Sequence, residues 1–384
     1  MFFEDFEGVP LRPPEQEFWQ VPNPNRAFSH DPPTGWFRDA NDVPGVNNPN
    51  VGIFEWEGWS LANKRFWTDV TRASGQPFTS RDLFSLGEGT VAVADPDRWN
   101  DLGDPANNLG FFNTLLRTPP IDLGPAAEDE KMTLVFDSSW RGGCCDDGQN
   151  FDPGGNNQTA IVRARIGTQS IELLRWESAP FNDNQTGQPT DQPFDQQGFP
   201  NEENPFFKPD TLNEQVVLDL SPLLPGGGSG NPPNGSRFAL SSPAMMGGAG
   251  MVTLEFEMEG AGDDGHWAFD HVAMASYTTL MADMNLSGAL DSGDFGAFAL
   301  GMLDEDEYRY TYFGEFPETR GSLDSNFDFD DAQWFVDEMQ MAGVSASAAT
   351  ALALALQGIP EPTSALMVLI ALSATAPWRR STPT

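Results

Sequence analysis

The sequence is short of cysteine, histidine and basic residues, and each shortage excludes a class of protein. Its two cysteines, Cys144 and Cys145, are adjacent, so they neither supply a disulfide framework nor match the spacing of a zinc site. Three histidines, His30, His266 and His271, are too few for a metal centre built on several imidazoles. Only 20 basic residues accompany 57 acidic ones, and the net charge of −37 argues against nucleic acid and anionic membrane surfaces as partners.

The first residues, Met1–Glu7, also lack the basic start and apolar core of a secretory signal. Other features, given below, predict an exported protein. We therefore expect the natural start to lie upstream of Met1, or a signal to have been removed.

Long apolar runs are scarce, whereas glycine (38) and proline (32) are frequent, which favours many turns and a mainly β fold. The segment Met251–Glu259 alternates between apolar and polar residues, as a strand with one buried face does. Similar short runs occur at 90–94, 132–136, 160–166, 171–176 and 216–220. We predict a two-sheet sandwich over residues 1–277. The polar stretch 182–209 is predicted to be a surface loop.

Composition changes after residue 277. Between Met281 and Gln340 there are 15 acidic and 2 basic residues, and helical periodicity replaces alternation. This part contains a run of oxygen-bearing residues at loop positions 1, 3, 5, 9 and 12, with a backbone carbonyl available at position 7 and glycine (Gly288) at position 6. These residues are Asp283, Asn285, Ser287, Ala289 (carbonyl), Asp291 and Asp294. Calcium requires six or more oxygen ligands, so the spacing predicts a calcium loop, followed by an amphipathic helix from Phe295.

This loop and helix resemble one repeat of a dockerin module, in which two loop–helix repeats each end their loop in Asp. The resemblance implies a second repeat. Its candidate calcium ligands are Asp324, Asn326, Asp328 and Asp331, and apolar residues follow at helical spacing. That loop is about two residues short, lacks the glycine, and has Ser322 at the expected first Asp. The resemblance covers roughly 281–340, and it also implies a cohesin-like partner. We place the helix pair at 278–343.

The C-terminal segment resembles a PEP-type sorting signal. Pro360, Glu361 and Pro362 precede an apolar segment that ends before Arg379 and Arg380. The 16 residues from Thr363 to Trp378 are short of the roughly 20 that span a bilayer, and the arginine pair would stay on the cytoplasmic side. The resemblance implies an exosortase-type processing enzyme as a partner and membrane contact through this tail alone. We assign 344–358 to a small-residue linker and 359–384 to the tail. An unprocessed anchor is the alternative.

Two further segments resemble the first and last strands of jelly-roll modules in carbohydrate-binding proteins and secreted hydrolases. They are Asp5–Gly8 and Asp263–Asp270. In that fold the terminal strands share a structural calcium, which would make Glu7 and Asp270 ligands; the alternative is that both are ordinary surface acids. Together, the three resemblances imply a jelly-roll-type sandwich followed by the calcium-binding helix pair and the apolar tail.

The function of the β body has three open interpretations. The first is a non-catalytic protein of the cell surface or matrix, with extracellular polysaccharide as its candidate ligand. The second is a secreted phosphoesterase or glycosidase, or its accessory module; no catalytic residue can be nominated for it. The third is a scaffold component that docks through the helix pair. Seven tryptophans have two alternative interpretations: they either belong to the sandwich core or form a platform on which sugars stack. They are Trp36, Trp56, Trp59, Trp67, Trp99, Trp140 and Trp176.

Overall fold

The structure is a computed structural model, and everything below concerns the residues that it describes. These are 2–22, 24–48, 50–73, 80–101, 110–123, 130–142, 157–190, 193–195, 197–220, 223, 251–262, 265–278, 282–304, 307–308, 311–312 and 329–344.

The chain divides into two compact units. The first combines Met1–Ala126 with Leu134–Met274, and the second combines Ala127–Thr133 with Ala275–Thr384.

The first unit is mainly β, as predicted. Its strands are, in chain order, β1 (Phe2–Glu4), β2 (Phe28–Ser29), β3 (Phe37–Asp39), β4 (Ser60–Asn63), β5 (Thr90–Ala94), β6 (Phe112–Arg117), β7 (Ile121–Asp122), β8 (Glu130–Arg141), β9 (Thr159–Ile166), β10 (Gln169–Glu177), β11 (Phe181–Asn182), β12 (Pro189–Thr190), β13 (Glu202–Glu203), β14 (Thr211–Asp219), β15 (Met251–Ala261) and β16 (His266–Thr278). Two helices of this unit are α1 (Lys64–Ala73) and α2 (Pro96–Asn100).

The described strands form two main sheets. Sheet I has the order β14–β8–β16–β5–β4–β2, and β1 also pairs with β16. Sheet II has the order β10–β9–β15–β6–β3, and β7 also pairs with β15. Strands that are distant in sequence lie side by side and pair antiparallel. For example, β15 pairs with β6 on one side and with β9 on the other. The order therefore rests on long-range pairing, which local sequence patterns do not encode.

The two sheets pack face to face through aromatic side chains, which makes the unit a β-sandwich. Phe256 of β15 lies 4.4 Å from Phe269 of β16 and 5.5 Å from Phe136 of β8, measured between ring centroids. The indole Nε1 of Trp59 donates to the backbone oxygen of Phe256 at 3.1 Å. Val252, like the other apolar residues of the alternating β15 pattern, is fully buried.

The polar stretch 182–209 is more ordered than a loop, so that prediction was wrong in part. Strands β12 and β13 both pair with β11 to form a small sheet. Carboxylates hold its turns: Asp183 accepts from the N–H of Thr186 at 2.7 Å, and Asp195 accepts from the N–H of Phe199 at 2.7 Å. Because Asp side chains bond to the following backbone in this way, residues typical of loops also stabilise tight turns between short strands.

The described part of the second unit contains α3 (Asp294–Leu303) and α4 (Phe329–Met341). Phe335 of α4 packs on Phe298 of α3, with ring centroids 4.5 Å apart, and Phe295 adds an edge-on contact at 5.3 Å. The hydroxyl of Tyr308 donates to the backbone oxygen of Met284 at 2.8 Å. The helix expected after the first loop and the apolar spacing of the second helix are both present. This helix pair has its own small core.

Candidate functional site

The first predicted calcium loop has its carboxylates turned inward. Asp283 and Asp294 are both fully buried, at opposite ends of the loop. Asp283 accepts from the N–H groups of Ser287 at 2.9 Å and Gly288 at 2.8 Å. Asp294 accepts from the N–H groups of Asn285 at 3.1 Å and Asp291 at 2.8 Å. The two carboxylates therefore tie the loop together through its own backbone.

The other candidate ligands of this loop lie near one another. The Ser287 hydroxyl lies 3.0 Å from the backbone oxygen of Ala289. A Cβ placed on Gly293 would come within 2.4 Å of the Asn285 amide and 3.0 Å of the Asp291 carboxylate, so these side chains converge. Burial raises the pKa of Asp294 to about 6, and the charges of Asp283 and Asp291 act in the same direction. Closely spaced oxygen ligands that are shielded from water fit a hard divalent cation.

These carboxylates do not already surround one point. Within the described ranges, no group of three or more His, Cys, Asp or Glu side chains is arranged to hold a metal ion. Calcium binding by the first loop thus stays a prediction that depends on the amide, hydroxyl and carbonyl oxygens as well. In the second loop, Asp324, Asn326 and Asp328 lie outside the described residues, and Asp331, at the start of α4, is buried.

The two acids predicted to share a sandwich calcium do contact one short segment. Glu7 accepts from the N–H of Thr90 at 2.6 Å, and Asp270 accepts from the N–H of Glu88 at 2.9 Å. Between them, Gly89 has φ +46°, and any Cβ there would collide with the Glu7 carboxylate. The structure thus brings Glu7 and Asp270 to the start of β5, although whether they bind calcium stays a prediction.

Two residues beside Asp270 were not predicted as members of this cluster. The Nδ1 of His271 lies 2.8 Å from a carboxylate oxygen of Asp137, and this hydrogen bond raises the pKa of the imidazole. Burial raises the pKa of Asp270 to about 7. Asp137 lies on β8 and was not among the candidate site residues. Its contact with His271 is set by the pairing of β8 with β16.

A serine and a histidine lie within hydrogen-bonding distance inside the sandwich. Ser139 Oγ and His266 Nε2 are 3.2 Å apart, a spacing that nucleophile–base pairs use. Both side chains are fully buried, which puts them out of reach of a substrate in solution. The neighbouring Asp95 is bonded to Arg81 and to the Trp67 indole. These hydrogen bonds therefore have a structural role in the core.

The tryptophans do not form a sugar-stacking platform. All seven candidates are buried, at 0–8% exposure. Trp140 and Trp176, for example, pack on each other with ring centroids 5.9 Å apart. The core interpretation is confirmed and the platform interpretation is wrong, because side chains that are shielded from solvent cannot stack on a sugar.

An open cavity of about 480 Å³ lies instead on the outer face of sheet II. Its lining residues are Gly35, Phe37, Arg117, Thr118, Pro120, Arg165, Gly167, Met251 and Thr253. Phe37 is 43% exposed and Met251 is 45% exposed. The Arg117 guanidinium lies over the Phe37 ring, 4.5 Å from its centroid, which orients both side chains.

The charged residues of this face follow the register of sheet II. Phe37 pairs with Arg117, Arg117 with Glu255, Glu255 with Arg163, and Arg163 with Glu172. Arginine and glutamate therefore alternate across four strands. Such opposite-charge cross-strand pairs stabilise a sheet face by roughly 0.2–1 kcal/mol each.

Two predicted segments are not part of this description. The linker beyond Val344 and the tail with Pro360, Glu361, Pro362, Arg379 and Arg380 lie outside the described residues, as do Cys144 and Cys145. Among the helices that the structure describes, none is long and apolar enough to cross a membrane.

Comparisons with known proteins gave distant structural likenesses only. No family model matches the chain, and no curated protein matches it. The K2 cleaved adhesin domain of Lys-gingipain is 11% identical, with a TM-score of 0.30, covering 71% of this chain and 97% of that one. A cyclase from Fischerella sp. TAU is 9% identical (TM-score 0.28; 65% and 88% covered).

A third likeness is the structure of TmCBM61 in complex with β-1,4-galactotriose, which is 8% identical, with a TM-score of 0.25 and coverage of 64% and 89%. The sandwich architecture stands on the sheets and the core described above.

Proposed function

We propose that the first unit is a non-catalytic, jelly-roll-type module that binds extracellular polysaccharide on the outer face of sheet II. The observation that carries the proposal is the cavity beside Phe37. Binding sites for small ligands are concave, with apolar or aromatic lining and a few polar groups that orient the ligand. Phe37 supplies an exposed ring, and Arg117, Arg165 and Thr253 supply hydrogen-bond donors around it.

The position of the cavity supports a polymer as ligand. The cavity is open to solvent on a sheet face, so a chain of sugars can pass across it. In contrast, Ser139 and His266 are buried and no sugar chain can reach them. The Arg117 guanidinium packs on the Phe37 ring. Because this contact restricts the exposed ring before ligand binds, the entropic cost of binding is lower.

The test is affinity electrophoresis of the full chain in gels that contain soluble polysaccharides, neutral and acidic. We expect retardation by at least one polymer, and at least a fivefold loss of affinity in Phe37→Ala. Phe207→Ala is the matched control, because Phe207 is 42% exposed, nearly as much as Phe37, and does not line this cavity. No retardation by any polymer, or equal loss in both variants, would contradict the proposal.

We further propose that the first loop of the second unit binds calcium and that the protein is exported. The loop proposal is supported by the hydrogen bonds of the buried Asp283 and Asp294 to the backbone of the loop, and by the approach of the Asn285 and Asp291 side chains to Gly293. Export and an exosortase-type processing enzyme are proposed from the resemblance of the tail to a sorting signal. A cohesin-like partner is proposed from the resemblance of the helix pair to a dockerin module. Calcium between Glu7 and Asp270 is proposed on the same footing, with their shared contact to residues 88–90 in support.

A further inference from the structure

The two ends of the outer face of sheet II differ in charge balance. At one end, Arg163 and Arg175 are surrounded by carboxylates: Arg175 contacts Glu172 at 2.8 Å and Glu177 at 3.4 Å, while Arg163 contacts Glu172, Glu257 and Glu259. Acidic groups outnumber basic ones there, so each guanidinium is already neutralised.

At the other end, two arginines share one carboxylate. Glu255 Oε1 lies 3.5 Å from Arg117 Nη1 and 3.2 Å from Arg165 Nη1. The Glu255 side chain is only 4% exposed, whereas Arg117 and Arg165 are 32% and 44% exposed. Both guanidinium groups therefore face solvent with donors that Glu255 does not use, since each has five N–H groups.

These two arginines are the only charged side chains that line the cavity beside Phe37, as far as the structure describes it. Asp122 is the cross-strand partner of Met251 at the rim, but it is not among the lining residues. A protein with a net charge of −37 thus exposes an excess of positive charge in the same cavity that carries its exposed aromatic ring.

We propose that this cavity selects acidic polysaccharide, meaning sugar units that carry carboxylate or sulfate groups. The inference rests on the proposed function and names its ligand class. The anionic group lies against Arg165 and Arg117, and the sugar ring lies against Phe37. A planar guanidinium donates two parallel hydrogen bonds to a carboxylate or sulfate, which a neutral sugar cannot accept with the same strength.

The overall negative charge does not prevent this contact. At physiological ionic strength, exposed charges more than about 8 Å apart are largely screened from one another, whereas direct arginine–anion hydrogen bonds are screened much less. Binding should therefore be detectable at moderate salt, where the repulsion between the polymer and the rest of the chain is reduced.

The experiment compares matched polymers on the full chain at about 0.15 M salt: polygalacturonate against its methyl ester, and dextran sulfate against dextran. We expect at least a tenfold preference for the acidic member of one or both pairs. The pair that shows it identifies carboxylate or sulfate as the recognised group. Neutral members bound as tightly as acidic ones would overturn the inference while leaving the proposed function standing; no binding of any polymer would remove both.

Variants at three positions test the residues. Arg165→Gln should weaken binding of the acidic polymer at least tenfold and binding of the neutral one much less, whereas Arg175→Gln, at the neutralised end, should change neither. Glu255→Gln should strengthen acidic binding, because it removes the charge that competes for both arginines. A merely structural role for Glu255 would give weaker binding, and that result would overturn the inference. If Arg165→Gln fails to fold, Arg165→Lys, which keeps the charge but loses the paired donors, should bind between the two extremes.

Discussion

The sandwich and the helix pair differ in the basic partners available to their buried acidic residues. In the sandwich, two of these acids contact arginine: Asp95 accepts two hydrogen bonds from Arg81, each 2.7 Å long, and Asp97 accepts a third at 2.7 Å. In the helix pair, the buried Asp283 and Asp294 contact backbone N–H groups instead. Between residues 281 and 340 there are 15 acidic residues and only 2 basic ones, so arginine cannot serve most of them.

This difference determines what each part should respond to. An ion pair between side chains is complete within the protein, so a chelator should not affect it. Carboxylates that lie near one another without a basic partner repel, and a divalent cation relieves that repulsion. The sandwich should therefore be sensitive to substitution of its arginines, and the helix pair to the concentration of calcium.

The largest effect is expected in the buried ion network of the sandwich. Removing one partner of such a pair leaves a buried charge without compensation, which costs about 3–5 kcal/mol. Arg81→Ala should therefore lower the unfolding free energy of the sandwich by about this amount, with or without calcium. Urea unfolding followed by tryptophan fluorescence measures it. Arg65→Ala is the control, because Arg65 pairs with Asp69 on the surface and is 71% exposed. Similar losses in both variants would contradict the role assigned to Arg81.

A smaller but calcium-dependent effect is expected in the helix pair. A ligand that binds only the folded form adds about 2.7 kcal/mol of stability at one hundred times its dissociation constant. Asp283→Ala or Asp294→Ala should abolish that gain, whereas Asp324→Ala, in the irregular second loop, should reduce it less. Calorimetry and circular dichroism with calcium and with chelator measure the change. Absence of calcium binding by the unmutated protein at millimolar concentration would refute the proposed site.

A pH effect should separate the two parts as well, because all three histidines precede the helix pair. Burial lowers the pKa of His30 to about 3 and lowers that of the fully buried His266 well below its usual value. Between pH 3 and 6.5 these two histidines therefore bind more protons in the unfolded chain than in the folded one. Their contribution to the stability of the sandwich should fall as pH drops below 6.5, by at most about 1.4 kcal/mol per pH unit for each histidine, whereas the raised pKa of Asp270 acts in the opposite direction.

Unfolding curves between pH 7 and 4 would measure that slope. His30→Gln should make it shallower, since Gln does not titrate. The same slope in His30→Gln as in the unmutated protein would contradict the neutral, buried state of His30.

The smallest effect on folding is expected from the tail. Deleting residues 360–384 should leave the unfolding free energies of both parts within about 0.5 kcal/mol of the full chain, as changes away from a packed core do. The same deletion should release the protein from the cell envelope into the periplasm or the medium. Failure of the shortened chain to fold, or unchanged localisation in cell fractions, would contradict the sorting interpretation.

Local patterns in the sequence determined much of this protein. The alternation in Met251–Glu259 predicted β15, and the apolar spacing after Asp294 predicted α3, because side-chain periodicity depends only on neighbouring residues. The candidate ligands of the first loop also lie within twelve consecutive residues, so their spacing alone was enough to predict a calcium site, and that site stays a prediction.

Only the tertiary structure decided what faces solvent and what meets across the sandwich. The sequence could not tell core tryptophans from a binding platform, since both use the same residue type; tertiary packing buried all seven. Phe37, Arg117, Glu255 and Arg165 come from four strands spread over more than two hundred residues. Strand order and register, set by long-range antiparallel pairing, place them side by side, and no periodicity within one segment records that arrangement.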